Sequence, residues 1–150
     1  MPEADLRLSV GTNVVLDWLY FDDPGCESLV LAIRSREVRW IATPAMRSEI
    51  EHVLGRGIRA RRPVDATAIL EGWDQWASMT AAPGGPPAAT LRCTDPDDQK
   101  FIDLALQAGA SALLTRDRAV LKLARRAHVH GLRIQTTATW QQQRRQVRSE

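Results

Sequence analysis

The chain has 150 residues, a length that suits one domain with a single core, and we expect residues 1–150 to form one domain whose core spans about 6–140. Hydrophobic residues make up 44% and charged residues 25%, as in ordinary globular proteins, which argues against a disordered chain. The net charge of +2 is too small to indicate a nucleic-acid partner by itself.

The sequence also gives no sign of export or membrane insertion. No apolar run approaches the roughly 18 residues of a membrane span, and the N-terminus lacks the basic and apolar regions of a signal peptide. Cys26 and Cys93 form no CxxC motif, and the three histidines have no zinc-binding spacing. We therefore expect a soluble, reduced, cytoplasmic protein without membrane contact.

Apolar strand-like runs alternate with helical patterns along the chain. Strands are predicted at 6–10, 38–42, 111–114 and 132–135. Helices are predicted from residue 12, then at 26–36, 44–54, 63–79, 95–108, 117–130 and 136–145, with a Pro/Gly-rich loop at 81–89. This alternation predicts an α/β fold in which helices cover both faces of a mainly parallel sheet.

Asp117 directly follows the predicted strand at 111–114. The carboxyl ends of parallel strands border the crevice in which α/β proteins bind ligands, so an acid at this position suits a binding site. Aspartate is also a favoured N-cap, and Asp117 could simply begin the next helix. Position alone leaves these two interpretations equal.

Asp95 and Pro96 have the pattern of an N-cap and a first helical residue, which places Asp98 third in the predicted helix. Asp98 continues the apolar stripe of Phe101 and Ile102, and an acid on that stripe must be paired, hydrogen-bonded or metal-bound. The alternative is that Asp98 only satisfies free amides at the helix start. Asp97 lies four residues before Phe101, so the periodicity favours Asp98 only slightly.

Glu49 lies on the flank of the apolar stripe of the helix predicted at 44–54. A glutamate on the flank of a helix is usually a surface charge. By itself, therefore, this residue is weak evidence for a site.

Taken together, four segments resemble the PIN-domain nucleases, and the nearest group is the toxin components of toxin–antitoxin modules. The resemblance covers about residues 6–140 and is strongest between Asp95 and Leu121. The segments are Val10-Gly11-Thr12-Asn13, Ser48-Glu49-Ile50, Asp95-Pro-Asp-Asp-Gln-Lys-Phe-Ile-Asp-Leu-Ala105 and Leu114-Thr-Arg-Asp-Arg118.

The resemblance implies an α/β/α sandwich whose clustered carboxylates bind Mg²⁺ or Mn²⁺ for the hydrolysis of phosphodiesters, usually in RNA. By motif position, Glu49, Asp98 and Asp117 match three acids of the family, which implies metal-binding and catalytic roles. Small polar residues that support the site are matched at three further positions, namely Thr12, Asn13 and Thr115. The resemblance also implies an RNA substrate, a cognate antitoxin and a homodimer.

Gly11 departs from the family pattern, because the first acid of the family stands at this position. Asp17 lies at a different place in the motif and is not a replacement. Substituting a residue that only hydrogen-bonds a metal ligand lowers metal affinity or activity by about 10–100-fold. Losing a ligand itself should lower them at least as much. We therefore expect impaired activity in this chain.

Arginines cluster in two stretches of the sequence. Arg56, Arg59, Arg61 and Arg62 form the first, and we expect them to position the RNA backbone. A second group, Arg144, Arg145 and Arg148, lies near the C-terminus. Solvated helix ends are an equally good interpretation of both.

Two other functions compete with a nuclease. Gly11 is the main support for an inactive PIN fold that binds RNA or a protein partner. A receiver-like or flavodoxin-like module would share acids at strand ends, but it ranks lower. A receiver needs an acidic pair after the first strand, where this chain has Gly11 and Thr12, and no flavin-binding loop is evident.

Overall fold

The computed structural model describes residues 6–57, 63–85 and 91–149, with side chains up to residue 146. The strands are β1 (Leu6–Val10), β2 (Val38–Ala42), β3 (Ser78–Met79), β4 (Ala112–Leu114) and β5 (Arg133–Gln135). The helices are α1 (Thr12–Leu19), α2 (Glu27–Arg34), α3 (Pro44–Arg56), α4 (Ala66–Trp76), α5 (Gln99–Ala108), α6 (Arg118–Leu121), α7 (Ala124–Val129) and α8 (Thr137–Ser149). Two 3-10 turns, Pro24–Cys26 and Pro96–Asp98, precede α2 and α5.

All strand pairs in the sheet are parallel, and the strand order is β3-β2-β1-β4-β5. Right-handed crossovers in this order place the helices that link β1, β2 and β3 on one face and those that link β3, β4 and β5 on the other. The structure therefore confirms the predicted α/β/α fold with a parallel central sheet.

Three helical predictions need correction. The helix predicted at 63–79 begins at Ala66 and ends at Trp76, and residues 78–79 are instead the edge strand β3. The helix predicted at 117–130 is divided into α6 and α7 by a turn at residues 122–123. The one predicted at 26–36 ends at Arg34, just before Arg36 adopts a left-handed φ of 64°. Of the predicted loop at 81–89, residues 86–89 lie outside the described part.

Tryptophans form the centre of the packing between β2 and its helices. Trp40 of β2 is only 1% exposed, and its ring lies 5.6 Å from that of Trp18 in α1 and 4.8 Å from that of Trp73 in α4. Gly72 permits the close approach of α4, because a Cβ there would lie 2.9 Å from Leu19 Cδ2. This packing fixes α1 and α4 against the sheet.

Strands β1 and β4 are neighbours at the point where the strand order reverses. From β1 the chain adds β2 and β3 on one side, and it then adds β4 and β5 on the other side of β1. Val10 is the register partner of Leu114, and the Gly11 amide donates a 2.8 Å hydrogen bond to the Leu114 carbonyl. The fully buried Ser9 hydroxyl donates to the Phe101 carbonyl and holds α5 against β1. Such a reversal opens a crevice at the carboxyl ends of the two strands.

Among the described helices, none is both long enough and apolar enough to cross a membrane.

Candidate functional site

A cleft opens where β1 and β4 end. Its cavity volume of about 100 Å³ leaves room for several waters. Every residue predicted for the site core borders it: Gly11, Thr12, Asn13, Glu49, Asp98, Thr115 and Asp117. The rest of the lining comes from Val14, Val53, Phe101, Leu113, Arg116 and Val120. The fold thus gathers side chains from segments that are more than a hundred residues apart.

Three carboxylates lie close together at the cleft, two of them in its lining. One oxygen each from Asp95, Asp98 and Asp117 lies within 4.8 Å of the other two. Asp95 was predicted only as a helix cap, and it does accept a 3.0 Å hydrogen bond from the Asp97 amide. Residues Pro96–Asp98 form a 3-10 turn rather than an α-helix, and positions i and i+3 eclipse in that geometry. Asp95 is therefore brought to the same side as Asp98.

Asp117 caps a helix and also borders the cleft. One carboxylate oxygen caps α6 by accepting a 2.8 Å hydrogen bond from the Ala119 amide. The Asp117 amide in turn donates to Thr115 Oγ1 at 3.0 Å. Because Thr115 is 5% exposed and lies at the end of β4, it fixes the backbone that presents the Asp117 carboxylate.

Asp98 is the acid of this group whose carboxylate lacks a compensating contact at one oxygen within the described residues. Its Oδ2 atom is buried and has no hydrogen-bond partner within the described ranges. Burial raises the pKa of Asp98 to about 7, and the hydrogen-bonding contact with Asp117 and the charges of Asp117, Asp95 and Glu49 add to the effect. A carboxylate with one unpartnered buried oxygen, close to two further carboxylates, fits a divalent cation, since Mg²⁺ and Mn²⁺ prefer hard oxygen ligands.

Glu49 borders the same cleft but is already engaged by other groups. Its Oε2 accepts a hydrogen bond from Thr12 Oγ1, and its Oε1 forms an ion pair with Lys100 Nζ. Lys100 also donates a 2.5 Å hydrogen bond to the Asp97 carbonyl. The protein therefore supplies a cation of its own on the Glu49 side of the cleft.

The sequence interpretation missed Lys100, although one weak signal was available. Lysine in the first turn of a helix opposes the helix dipole, and such a placement favours a nearby anionic partner. The partner could not be identified from the sequence, because Glu49 belongs to a different helix, α3.

No backbone requirement explains the glycine at position 11. Gly11 has φ −64° and ψ 151°, which any L-residue adopts. A Cβ there would lie 3.4 Å from the Leu114 carbonyl oxygen and 3.5 Å from Thr115 Oγ1, which are ordinary contacts. Gly11 is also the N-cap of α1 without a side-chain hydrogen bond. The fold can therefore accept an aspartate at this position.

Asp17 does not replace the missing acid. Both of its carboxylate oxygens accept hydrogen bonds from Arg116, at 2.9 and 3.1 Å. This bidentate pair ties α1 to the loop that follows β4, and it commits the Asp17 carboxylate to a structural contact.

The predicted basic cluster is only partly described. Arg56 is exposed at the end of α3 and does not line the cleft. Its companions Arg59, Arg61 and Arg62 lie outside the described residues. Their role in binding nucleic acid stays a prediction.

Comparison with known proteins places the chain in a family. The sequence profile of the PIN domain matches residues 7–119. One chain in the crystal structure of VapBC2 from Rickettsia felis, bound to a DNA fragment from their promoter, is similar with a TM-score of 0.60. That match covers 87% of this chain and 98% of the other at 10% identity, a level that shows a shared fold alone. No curated protein gives a significant sequence match. Because the profile spans more than half of the chain, the protein belongs to the PIN domain family.

Proposed function

We propose that the protein is a metal-dependent endoribonuclease and the toxin of a toxin–antitoxin module, with activity weakened by Gly11. The observation that carries the proposal is the group of three carboxylates at the carboxyl end of the sheet, one of which has a buried oxygen without a hydrogen-bond partner among the described residues. Buried charge of this kind is costly unless a cation or a proton compensates it. Membership of the PIN domain family supports the same conclusion.

Asp95, Asp98 and Asp117 would hold Mg²⁺ or Mn²⁺, with Glu49 as an additional acid at the edge of the cleft. When bound, such an ion activates water for attack and offsets the charge that develops on a scissile phosphate. Because the pKa of Asp98 is raised to about 7, this carboxyl must release its proton before it can bind a cation.

Other residues of the chain would orient the acids. Thr115 positions Asp117 through the 3.0 Å hydrogen bond from its amide, and Thr12 holds one oxygen of Glu49. The Lys100 ammonium reduces the negative charge at this edge of the cleft, which would ease the approach of a phosphate. Arg116 also lines the cleft, but its charge is paired with Asp17.

The partners follow from the same proposal. The substrate is an RNA phosphodiester, and a cognate antitoxin would control the activity of a homodimeric toxin in the cytoplasm. The fold shared with a chain of the VapBC2 structure supports this assignment.

A second candidate is an inactive PIN domain that binds RNA or a protein. Gly11 favours it, because a chain that lacks one acid of its family binds a divalent ion less strongly. The ordinary backbone at Gly11 means that this candidate can be tested by one substitution.

The test compares RNA cleavage by the unchanged chain, by Gly11→Asp and by Gly55→Asp in Mn²⁺ buffer. Gly55 lies on the exposed end of α3 with nothing within 4 Å of an added Cβ, so its substitution makes the same charge change away from the cleft. We expect cleavage to rise at least tenfold for Gly11→Asp only, and to disappear with EDTA. No cleavage by any of the three over a broad panel of RNAs, with tight RNA or protein binding, would favour the second candidate.

A further inference from the structure

The last fifth of the chain has an unusually one-sided charge. Residues 118–149 contain eight of the twenty basic residues and no aspartate or glutamate. The net charge of the whole chain, +2, conceals this asymmetry. A region of this kind raises the local concentration of polyanions.

Four of these cations form a continuous stripe on helices α6 and α7. Arg118, Lys122, Arg125 and Arg126 follow the spacing i, i+4, i+7 and i+8, and all four are exposed. The chain stays nearly helical through the turn, because the Lys122 amide donates to the Arg118 carbonyl at 3.1 Å. The stripe therefore spans about 12 Å along one helical surface.

The opposite side of the same helices is buried against the sheet. Val120, Leu123 and Ala127 are at most 6% exposed, and they occupy the positions between the cations. This burial fixes the rotation of both helices, so the basic residues must face solvent.

The four cations have no ion-pair partner within the described part of the chain. Several other cations are paired: Arg47 with Asp74, Arg116 with Asp17 and Arg144 with Glu37. Unpaired cations retain their full charge for an external anion, whereas a paired arginine must first lose its partner.

The stripe begins at the cleft. Arg118 is the residue after Asp117, and Val120 of the same helix lines the cavity. A chain of phosphates that follows the stripe to Arg118 would thus end next to Asp117.

We propose that the exposed surface of α6 and α7, formed by Arg118, Lys122, Arg125 and Arg126, binds the phosphate backbone of an RNA strand whose scissile bond lies in the cleft. This rests on the proposed nuclease function. No Phe, Tyr or Trp occurs between 118 and 129, so the surface lacks the large aromatic anchors typical of protein interfaces. Binding should depend on phosphates and be insensitive to sequence.

The experiment measures the binding of a fluorescent single-stranded 20-nucleotide RNA by anisotropy, in EDTA, over a range of salt concentrations. The test variant is Lys122→Gln/Arg125→Gln/Arg126→Gln, which leaves the residue next to Asp117 unchanged. The matched control is Arg34→Gln/Arg36→Gln/Arg39→Gln, which removes three exposed charges near the amino end of β2, whereas the cleft lies at the carboxyl ends of the strands. Thermal melts verify that all proteins are folded.

We expect the test variant to bind at least tenfold more weakly at low salt and the control to bind within about twofold of the unchanged chain. The plot of log binding constant against log salt has a negative slope, and its magnitude should decrease by about 2 for the test variant. Each phosphate contact on a single strand contributes about 0.7 to that magnitude. Equal losses in both variants, or no loss in either, would overturn the proposal. Tighter binding to duplex DNA or to an acidic protein than to RNA would overturn the choice of RNA.

The outcome is separable from that of the nuclease proposal, because binding is measured without divalent metal and cleavage is measured on Gly11→Asp. Metal-dependent cleavage with unaltered binding by the test variant would reject the surface and keep the function. Weakened binding without cleavage by Gly11→Asp would keep the surface and reject the nuclease.

Discussion

Asp98 and Asp117 bring carboxylate oxygens within 4.8 Å of each other from two separate elements. Asp98 ends the 3-10 turn before α5, whereas Asp117 follows β4 and caps α6. The charge of Asp117 adds to the effect of burial in raising the pKa of Asp98. A proton or a bound cation would relieve the repulsion between the two acids.

The raised pKa of Asp98 predicts that stability falls as pH rises from about 4 to 7. Below this window Asp98 is protonated in both the folded and unfolded states, and its contribution to the free energy of unfolding is fully present. Within the window the folded state holds a proton that the unfolded state has released, so raising the pH reduces the free energy of unfolding. Urea unfolding in EDTA at several pH values measures the effect.

Asp98→Asn is the control for this prediction. The amide cannot titrate, so the fall in the free energy of unfolding between pH 4 and 7 should be smaller in the variant. Identical pH profiles for the two proteins would show that Asp98 has no raised pKa in solution.

Divalent metal should stabilise the unchanged chain even though Gly11 provides no acid. An ion that binds only the folded state raises the melting temperature by mass action. We expect millimolar Mn²⁺ to raise the melting temperature at pH 7.5, and Asp98→Asn to abolish most of that shift. A melting temperature that stays the same with Mn²⁺ and Mg²⁺ would contradict a functional ion site in this form.

Lys100→Gln should strengthen the binding of Mn²⁺, since the Lys100 ammonium neutralises Glu49 and competes for the negative charge of the cleft. Both side chains are about a quarter exposed, and such ion pairs contribute roughly 0.2–1 kcal/mol, so we expect a gain of no more than about fivefold. Isothermal titration calorimetry with Mn²⁺ measures it. Lys122→Gln removes the same charge from an exposed position outside the cleft and should have a smaller effect. Weaker Mn²⁺ binding by Lys100→Gln would mean that the lysine assembles the site.

The fold was predictable because the apolar runs and their breaks are strong local signals. Gly109 ends α5 with a left-handed φ of 66°, as a glycine after a predicted helix does. Strand β3 was not predictable, because it has two residues and immediately follows an apolar helical face that ends at Trp76. Its pairing with β2 is a tertiary contact, and no periodicity in the sequence encodes it.

The site was predictable to the level of which residues border one cleft, but not to the level of their contacts. Asp95 joins Asp98 because residues 96–98 adopt a 3-10 turn, whereas the Asp-Pro pattern predicts an α-helix. Glu49 is instead paired with Lys100, which belongs to a different helix. Such a contact depends on how α3 and α5 are placed in the fold, which no local pattern encodes.

Replacing Arg59, Arg61 and Arg62 by Ala tests the basic stretch predicted from the sequence. If this stretch positions RNA, the variant should bind different RNA sequences with equally reduced affinity and a flatter salt dependence. Filter binding in EDTA at several salt concentrations measures both quantities. Unchanged affinity and slope would identify the stretch as solvated charge.

Aspartate and asparagine at position 11 should separate the effect of charge from that of helix capping. Both residues are good N-caps, so either should stabilise the start of α1 by a few tenths of a kcal/mol relative to glycine. Only aspartate adds a negative charge beside Asp98 and Asp117. Without metal, we therefore expect Gly11→Asn to melt at a higher temperature than Gly11→Asp.

Saturating Mn²⁺ should reverse this order, because the added carboxylate would become a ligand and the repulsion among the acids would vanish. Cleavage of RNA should follow the same pattern, with activity restored in Gly11→Asp and not in Gly11→Asn, and each tenfold gain in rate would correspond to about 1.4 kcal/mol of transition-state stabilisation. Thermal melts with and without Mn²⁺ test the first part independently of catalysis. If the two variants respond equally to Mn²⁺, a carboxylate at position 11 does not face the ion, and Gly11 cannot be the cause of weak activity.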